Sequence, residues 1–111
     1  MNTFYCAGCD GIYYSNKSNL YCDGIEIKPL IPIENNNFKY DISIDSNEIY
    51  ISIEHPMTKD NYISFIAYHT DFGYEVKELY PEGNAEARLH FTKKGRIQFF
   101  IKNEGLYEIK I

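Results

Sequence analysis

The sequence predicts an all-β chain, an antiparallel sandwich of about seven strands behind a small N-terminal knuckle. Two observations predict the sandwich and a third the knuckle. After Phe38, apolar residues alternate with polar ones in four separate runs, the two-residue period that leaves one strand face buried and the other wet. Clusters of turn formers separate these runs, and no window carries a sustained helical stripe bounded by caps. Cys6, Cys9 and Cys22 all fall in the first fifth of the 111-residue chain, where few apolar side chains are available to close a core.

The elements follow in order. Residues 1–31 read as a knuckle of short hairpins around the cysteines. Pro32 to Asn37, holding one Pro, one Glu and three consecutive Asn, reads as a linker. Residues 38–111 read as the sandwich. Ile42 and Ile44 mark one strand, and Ile49, Ile51 and Ile53 the next, with Asp45-Ser46-Asn47 as the turn between them. Ile97, Phe99 and Ile101 mark another, and Tyr107, Ile109 and Ile111 the last, joined by Asn103-Glu104-Gly105. Further turn signals stand at Asp71-Phe72-Gly73, Pro81-Glu82-Gly83-Asn84 and Lys93-Lys94-Gly95. Short strands at this spacing point to an immunoglobulin-like arrangement.

Composition narrows the function classes. A hydrophobic fraction of 44% supports a packed core rather than disorder. Eleven Tyr and seven Phe beside many Ile suit pleated, half-buried surfaces. A net charge of -5 repels phosphate backbones, and no Lys or Arg run offsets it, so no nucleic-acid partner is expected. The longest apolar stretches are a few residues, and the N-terminus lacks a basic and apolar leader pattern. The expectation is a soluble cytoplasmic protein with no membrane partner.

The cysteines carry the first chemistry. An odd count argues against a closed disulfide framework, as does a cytosolic location. A C-x-x-C turn aims two thiolates at one point, which suits a tetrahedral metal site. Cys6, Cys9 and Cys22 therefore read as three ligands of one Zn or Fe ion. Asp23, next to Cys22, reads as the fourth, because a carboxylate oxygen binds Zn at nearly the distance a nitrogen does. Asp10 is a weaker substitute. An oxygen in place of a thiolate makes the site harder and places Zn ahead of Fe. The alternative is three thiols with no metal.

Two stretches carry a family resemblance. Cys6-Ala7-Gly8-Cys9, leading to Tyr21-Cys22-Asp23-Gly24, resembles the desulforedoxin-like knuckle of desulfoferrodoxins, with Asp23 where that family has the second cysteine of a C-C-G. Glu54-His55-Pro56-Met57, continuing to Asn61-Tyr62-Ile63, resembles the E-H-P-M-x-x-x-H-Y-I segment of superoxide reductases. Leu79 to Ala87 resembles their L-x-P-G-x-x-P-x-A segment, and Asn103-Glu104-Gly105-Leu106-Tyr107 stands where they end in C-N-x-H-G-L-W. The resemblance implies a desulforedoxin-like domain at 1–31 and a superoxide-reductase-like sandwich at 38–111. Members of that family often dimerise, so it also implies a homodimer.

The resemblance implies an iron centre of four imidazoles and one axial thiolate, with the sixth position open to superoxide. Matched residue by residue, His55 retains one ligand. Asn61 stands for a second histidine, Ile101 for the cysteine and Glu104 for another histidine, while Lys39-Tyr40 is the nearest match to the early histidine. Asn is a poor donor, Ile none, and Glu104 a hard oxygen. The expectation is that catalytic iron is absent and that His55 and Glu104 are at most a two-ligand remnant. His55 otherwise reads as a half-exposed loop histidine, held extended by Pro56. The alternative is an oxidoreductase with an altered iron centre.

His69 and His90 lie in strand-like stretches at no useful spacing and read as surface or satisfied core residues. Tyr13, Tyr14 and Tyr21 read as packing for the knuckle, or as a partner-facing surface. No Ser-His-Asp order, phosphate loop or His-Glu-x-x-His helix is present.

Overall fold

A computed structural model describes residues 2–6, 11–34 and 38–111. The chain divides into two compact units, Met1–Ile31 and Pro32–Ile111. The described residues contain strands and turns and no helix.

Among the described residues the first unit forms two hairpins. β1 (Asn2–Cys6) pairs antiparallel with β2 (Gly11–Ser15), with Phe4 opposite Tyr13 and Cys6 opposite Gly11. β3 (Leu20–Cys22) pairs with β4 (Ile25–Ile27), with Cys22 opposite Ile25. Asp23 and Gly24 make the turn of this second hairpin at φ 51° and 78°. Positive φ at both positions is the type I′ pattern, which matches the strand twist, and Asp-Gly is a favoured pair for it. The Leu30 amide donates to the Thr3 carbonyl at 2.8 Å, returning the end of the unit to β1.

Among the described residues the second unit holds eight strands: β5 (Ile33–Glu34), β6 (Tyr40–Asp45), β7 (Glu48–Ile53), β8 (Ile63–Thr70), β9 (Gly73–Glu78), β10 (Glu86–His90), β11 (Arg96–Ile101) and β12 (Gly105–Lys110). They form a three-stranded sheet ordered β10-β7-β6 and a five-stranded sheet ordered β5-β12-β11-β8-β9. Between them Ile49, Ile51, Ile53, Ala87 and Leu89 from one sheet meet Ile66, Tyr68, Ile97, Phe99, Ile101, Tyr107 and Ile109 from the other. The fold is the expected antiparallel β-sandwich.

Several elements differ from the sequence expectation. β5 falls inside the span read as a linker and pairs parallel with β12, Ile33 opposite Tyr107; Asn35, Asn36 and Asn37 lie outside the described residues. β8 does not alternate, because Phe65, Ile66, Ala67, Tyr68 and His69 are all buried, and a strand buried on both faces reads as a continuous run. β10 does alternate, but Ala87 is too small to announce a buried position against Leu89.

Two details steer the site. The β8–β11 ladder shifts register between Phe100 and Ile101, so that Phe100 faces Phe65 but Ile101 faces Ile63. Tyr68 fixes the bend before β11. Its hydroxyl accepts the amides of Thr92 at 3.3 Å and Lys93 at 3.1 Å and donates to the Lys93 carbonyl.

Candidate metal centre and the His55 cluster

In the first unit, Cys6 closes β1, Cys22 closes β3, and Asp23 follows in the turn. The ligand atoms of these three residues lie within 4.8 Å of one another, with Cys6 buried, Cys22 part-exposed and Asp23 exposed. Beside them is a cleft of about 380 Å³ lined by Tyr13, Leu20, Tyr21, Cys22, Asp23 and Ile27. The group has the donors for a metal ion, two soft sulfurs and a hard oxygen.

The structure brings Cys6 and Cys22 to the spacing of a disulfide pair, with the Cα atoms 6.1 Å apart. An odd cysteine count argues against a closed framework and leaves room for one such pair. Cys9 and Asp10 lie outside the described residues. Two of the three tyrosines are less buried than the packing reading requires, Tyr21 at 70% exposed and Tyr13 at 46%, while Tyr14 is part-buried.

In the second unit, the ends of strands bring distant residues into one cluster. His55 follows β7, where the Glu54 amide is held by the Lys39 carbonyl at 2.8 Å. The next turn is closed by Thr58 and Asn61, the Asn61 amide donating to the Thr58 hydroxyl at 3.1 Å and that hydroxyl to the Asn61 carbonyl at 3.0 Å. The Met57 carbonyl accepts the Glu82 amide at 2.7 Å, and the Met57 sulfur accepts the Ile63 amide at 3.3 Å. Asn103, at φ 69°, turns β11 into β12 and presents Glu104 to this loop.

The result places His55, Asn61 and Glu104 together. His55 Nε2 is 3.7 Å from Glu104 Oε2, and Asn61 Nδ2 donates to that same oxygen at 2.8 Å. The His55 side chain is 3% exposed and that of Glu104 37%. That depth corrects the reading of His55 as half-exposed. Its ring packs against Phe38, centroids 5.6 Å apart, and Phe38 meets Tyr107 edge-on at 5.2 Å. His55 Nδ1 is buried without a hydrogen-bond partner among the described residues. Ile101 is fully buried in the core.

His69 is neither a surface residue nor a satisfied one. It is buried on β8 with Nε2 unpartnered among the described residues. Burial, reinforced by the Arg96 guanidinium across the strand pair, lowers its pKa to about 4. His90 is exposed at the end of β10, its backbone amide donating to the Glu75 carboxylate at 2.8 Å.

No protein-family model matches the sequence, and no curated protein matches it. Among solved structures, the chain is similar to the superoxide reductase from Treponema pallidum, with a TM-score of 0.82 at 18% identity, covering 98% of this chain and 97% of that one. It also matches a superoxide reductase from Nanoarchaeum equitans over 73% of this chain and 98% of that one, at 17% identity and a TM-score of 0.43. The first likeness shows the fold: the chain has a superoxide-reductase-like fold. No helix among the described residues is long and apolar enough to cross a membrane.

Proposed function

We propose that this chain is a superoxide-reductase-like metal-binding protein that keeps one ion in its N-terminal knuckle and has lost the catalytic iron centre of the sandwich. The observation that carries the second half is the Asn61–Glu104 hydrogen bond beside His55. The centre implied by the resemblance needs four imidazoles and a thiolate. The cluster offers one imidazole, a carboxylate and an amide, and buried Ile101 has no lone pair to give. That donor set does not fit the electron-rich thiolate site, in which the soft axial ligand drives the chemistry.

The knuckle does fit a metal ion. Cys6, Cys22 and Asp23 converge within one coordination sphere, and Cys9 is the remaining ligand on sequence grounds. The dithiol form is the binding form, since a metal ligates thiolates. A bound ion would hold the two hairpins together, contributing folding energy that so small a unit cannot draw from a core. Zn suits the mixed sulfur and oxygen set better than Fe.

Metal analysis and an absorption spectrum test this reading on reduced protein purified without added metals. One zinc per chain, no visible band and no consumption of superoxide are the expected results. A second reading, an oxidoreductase with an altered centre, draws on the 3.7 Å approach of His55 Nε2 to Glu104 Oε2, a nitrogen and an oxygen on one side of an ion. A second, iron equivalent lost on replacing His55 would favour it. A thiolate-to-iron band overturns the zinc assignment.

A further inference from the structure

We infer that Cys6 and Cys22 form a redox gate on the knuckle site: joined as a disulfide they exclude the ion, and as a dithiol they bind it with Asp23. The inference rests on the metal reading of the knuckle and adds its regulation.

The same three residues answer to two chemistries. Their ligand atoms lie within 4.8 Å of one another, the spread of one coordination sphere. Two of them also stand at the spacing of a disulfide pair, with Cα atoms 6.1 Å apart, inside the span a disulfide bridges without backbone movement. Cys6 is held by the β1–β2 ladder opposite Gly11, and Cys22 by the β3–β4 ladder opposite Ile25. Neither ladder depends on the sulfurs, so one backbone frame serves both states. The states exclude each other, because a sulfur bonded to sulfur has no thiolate charge to give a metal. Asp23, on an exposed turn, and the one remaining thiol are then too few ligands to keep the ion.

The order of events follows from exposure. Cys22 is part-exposed on the cleft between Tyr13, Tyr21 and Ile27, whereas Cys6 is buried. With hydrogen peroxide as the oxidant, the Cys22 thiolate attacks one peroxide oxygen. The O–O bond breaks, hydroxide leaves and is protonated to water, and Cys22 becomes a sulfenic acid. The Cys6 thiolate then attacks the Cys22 sulfur. The S–S bond forms, and the departing hydroxide takes a second proton. Two thiolates lose two electrons in all, peroxide is reduced to two waters, and the divalent ion leaves as an aqueous cation. A dithiol reductant reverses the exchange and restores the site.

The experiment loads the reduced full chain with one equivalent of zinc, adds stoichiometric hydrogen peroxide, and follows zinc release with a chromophoric chelator. Non-reduced peptide mapping identifies the bond. One zinc released per two thiols lost, a peptide joining Cys6 to Cys22, and zinc uptake again after dithiothreitol are the expected results. Cys22→Ser should abolish the linked peptide. Zinc retained after the linked peptide has formed, or a bond from Cys9 in place of one partner, overturns the gate while leaving the metal reading intact. Reduced protein that takes up no zinc at all overturns both.

Discussion

Asn61 donates its side-chain amide to the Glu104 carboxylate at 2.8 Å, across 43 residues of chain and beside the His55 imidazole. The contact belongs to a stitch between the loop after β7 and the β11–β12 turn. Asn103 Nδ2 returns to the Asp60 carbonyl at 2.9 Å, and the Lys102 amide to the Tyr62 carbonyl at 3.0 Å. Hydrogen bonds thus join the two segments that the family resemblance joins through a metal.

This stitch should hold without any ion. Asn61→Ala removes the donor and leaves Glu104 part-buried, at a cost of about 1–2 kcal/mol. For a domain of this size each kcal/mol lowers the melting temperature by roughly 4–8 °C. A chelator should leave the sandwich transition unchanged in both proteins. A wild-type sandwich that melts earlier on chelation would reveal a metal at His55 and sink the proposed loss of the centre.

His69 should make stability depend on pH. Its pKa is about 4 in the folded chain against an ordinary 6.5, through burial and then Arg96. Between those values the unfolded chain binds the proton and the folded chain does not, so stability is full above about 6.5 and falls with pH until about 4. The loss from pH 7 to pH 5 is about 2 kcal/mol at 1.4 kcal/mol per unit. Urea titrations at the two pH values measure it. His69→Leu should remove most of that slope, and an unchanged slope would place its origin elsewhere.

How much of this was legible in the sequence follows from which faces are wet. The Ile49-Ile51-Ile53 and Ile97-Phe99-Ile101 alternations became β7 and β11 because each sheet shows a regular inward set to the core. The turns at Ser46 and Asn103 were legible because polar residues tolerate the positive φ found there. β8 was hidden by burial on both faces, and β5 by having only two residues. At the site, the order of the landmarks placed His55 near Glu104, and the structure brings them to 3.7 Å. The Cys6–Cys22 pairing was not legible, since spacing along the chain does not say which hairpin ends meet. The orphan nitrogen of His69 had no signal either, as its strand position is shared with ordinary apolar neighbours.

Tyr68 should prove more sensitive than a core phenol usually is. Its hydroxyl serves two backbone amides, those of Thr92 and Lys93, and one carbonyl. Tyr68→Phe keeps the ring in the core but leaves these groups unpaired, at a cost of about 1–3 kcal/mol. Chemical denaturation should show that loss, and amide exchange at Thr92 and Lys93 should accelerate more than at Ile97. Uniform acceleration along β11 would show instead that the hydroxyl is not what holds the bend.

Asp23 has two duties, and two substitutions separate them. Its backbone sits at φ 51° in the turn between β3 and β4, while its carboxylate lies within reach of both cysteine sulfurs. Asn tolerates the left-handed region well but carries no charge. Asp23→Asn should therefore keep the hairpin and weaken zinc binding by tenfold or more, the order of loss expected when an anionic ligand becomes neutral. Asp23→Cys should do the reverse. It gives the ion a further thiolate and shifts preference toward iron, at the expense of a turn position that disfavours Cys by roughly 1 kcal/mol. Gly24→Ala, at φ 78° with open space around its Cα, strains the same turn without touching a ligand, and isolates the backbone share. Competition against a chelator of known affinity measures binding, and backbone chemical shifts of Leu20 to Ile27 measure the hairpin. If Asp23→Asn binds zinc as tightly as the wild type, the carboxylate is a turn residue only and the fourth ligand must be sought elsewhere.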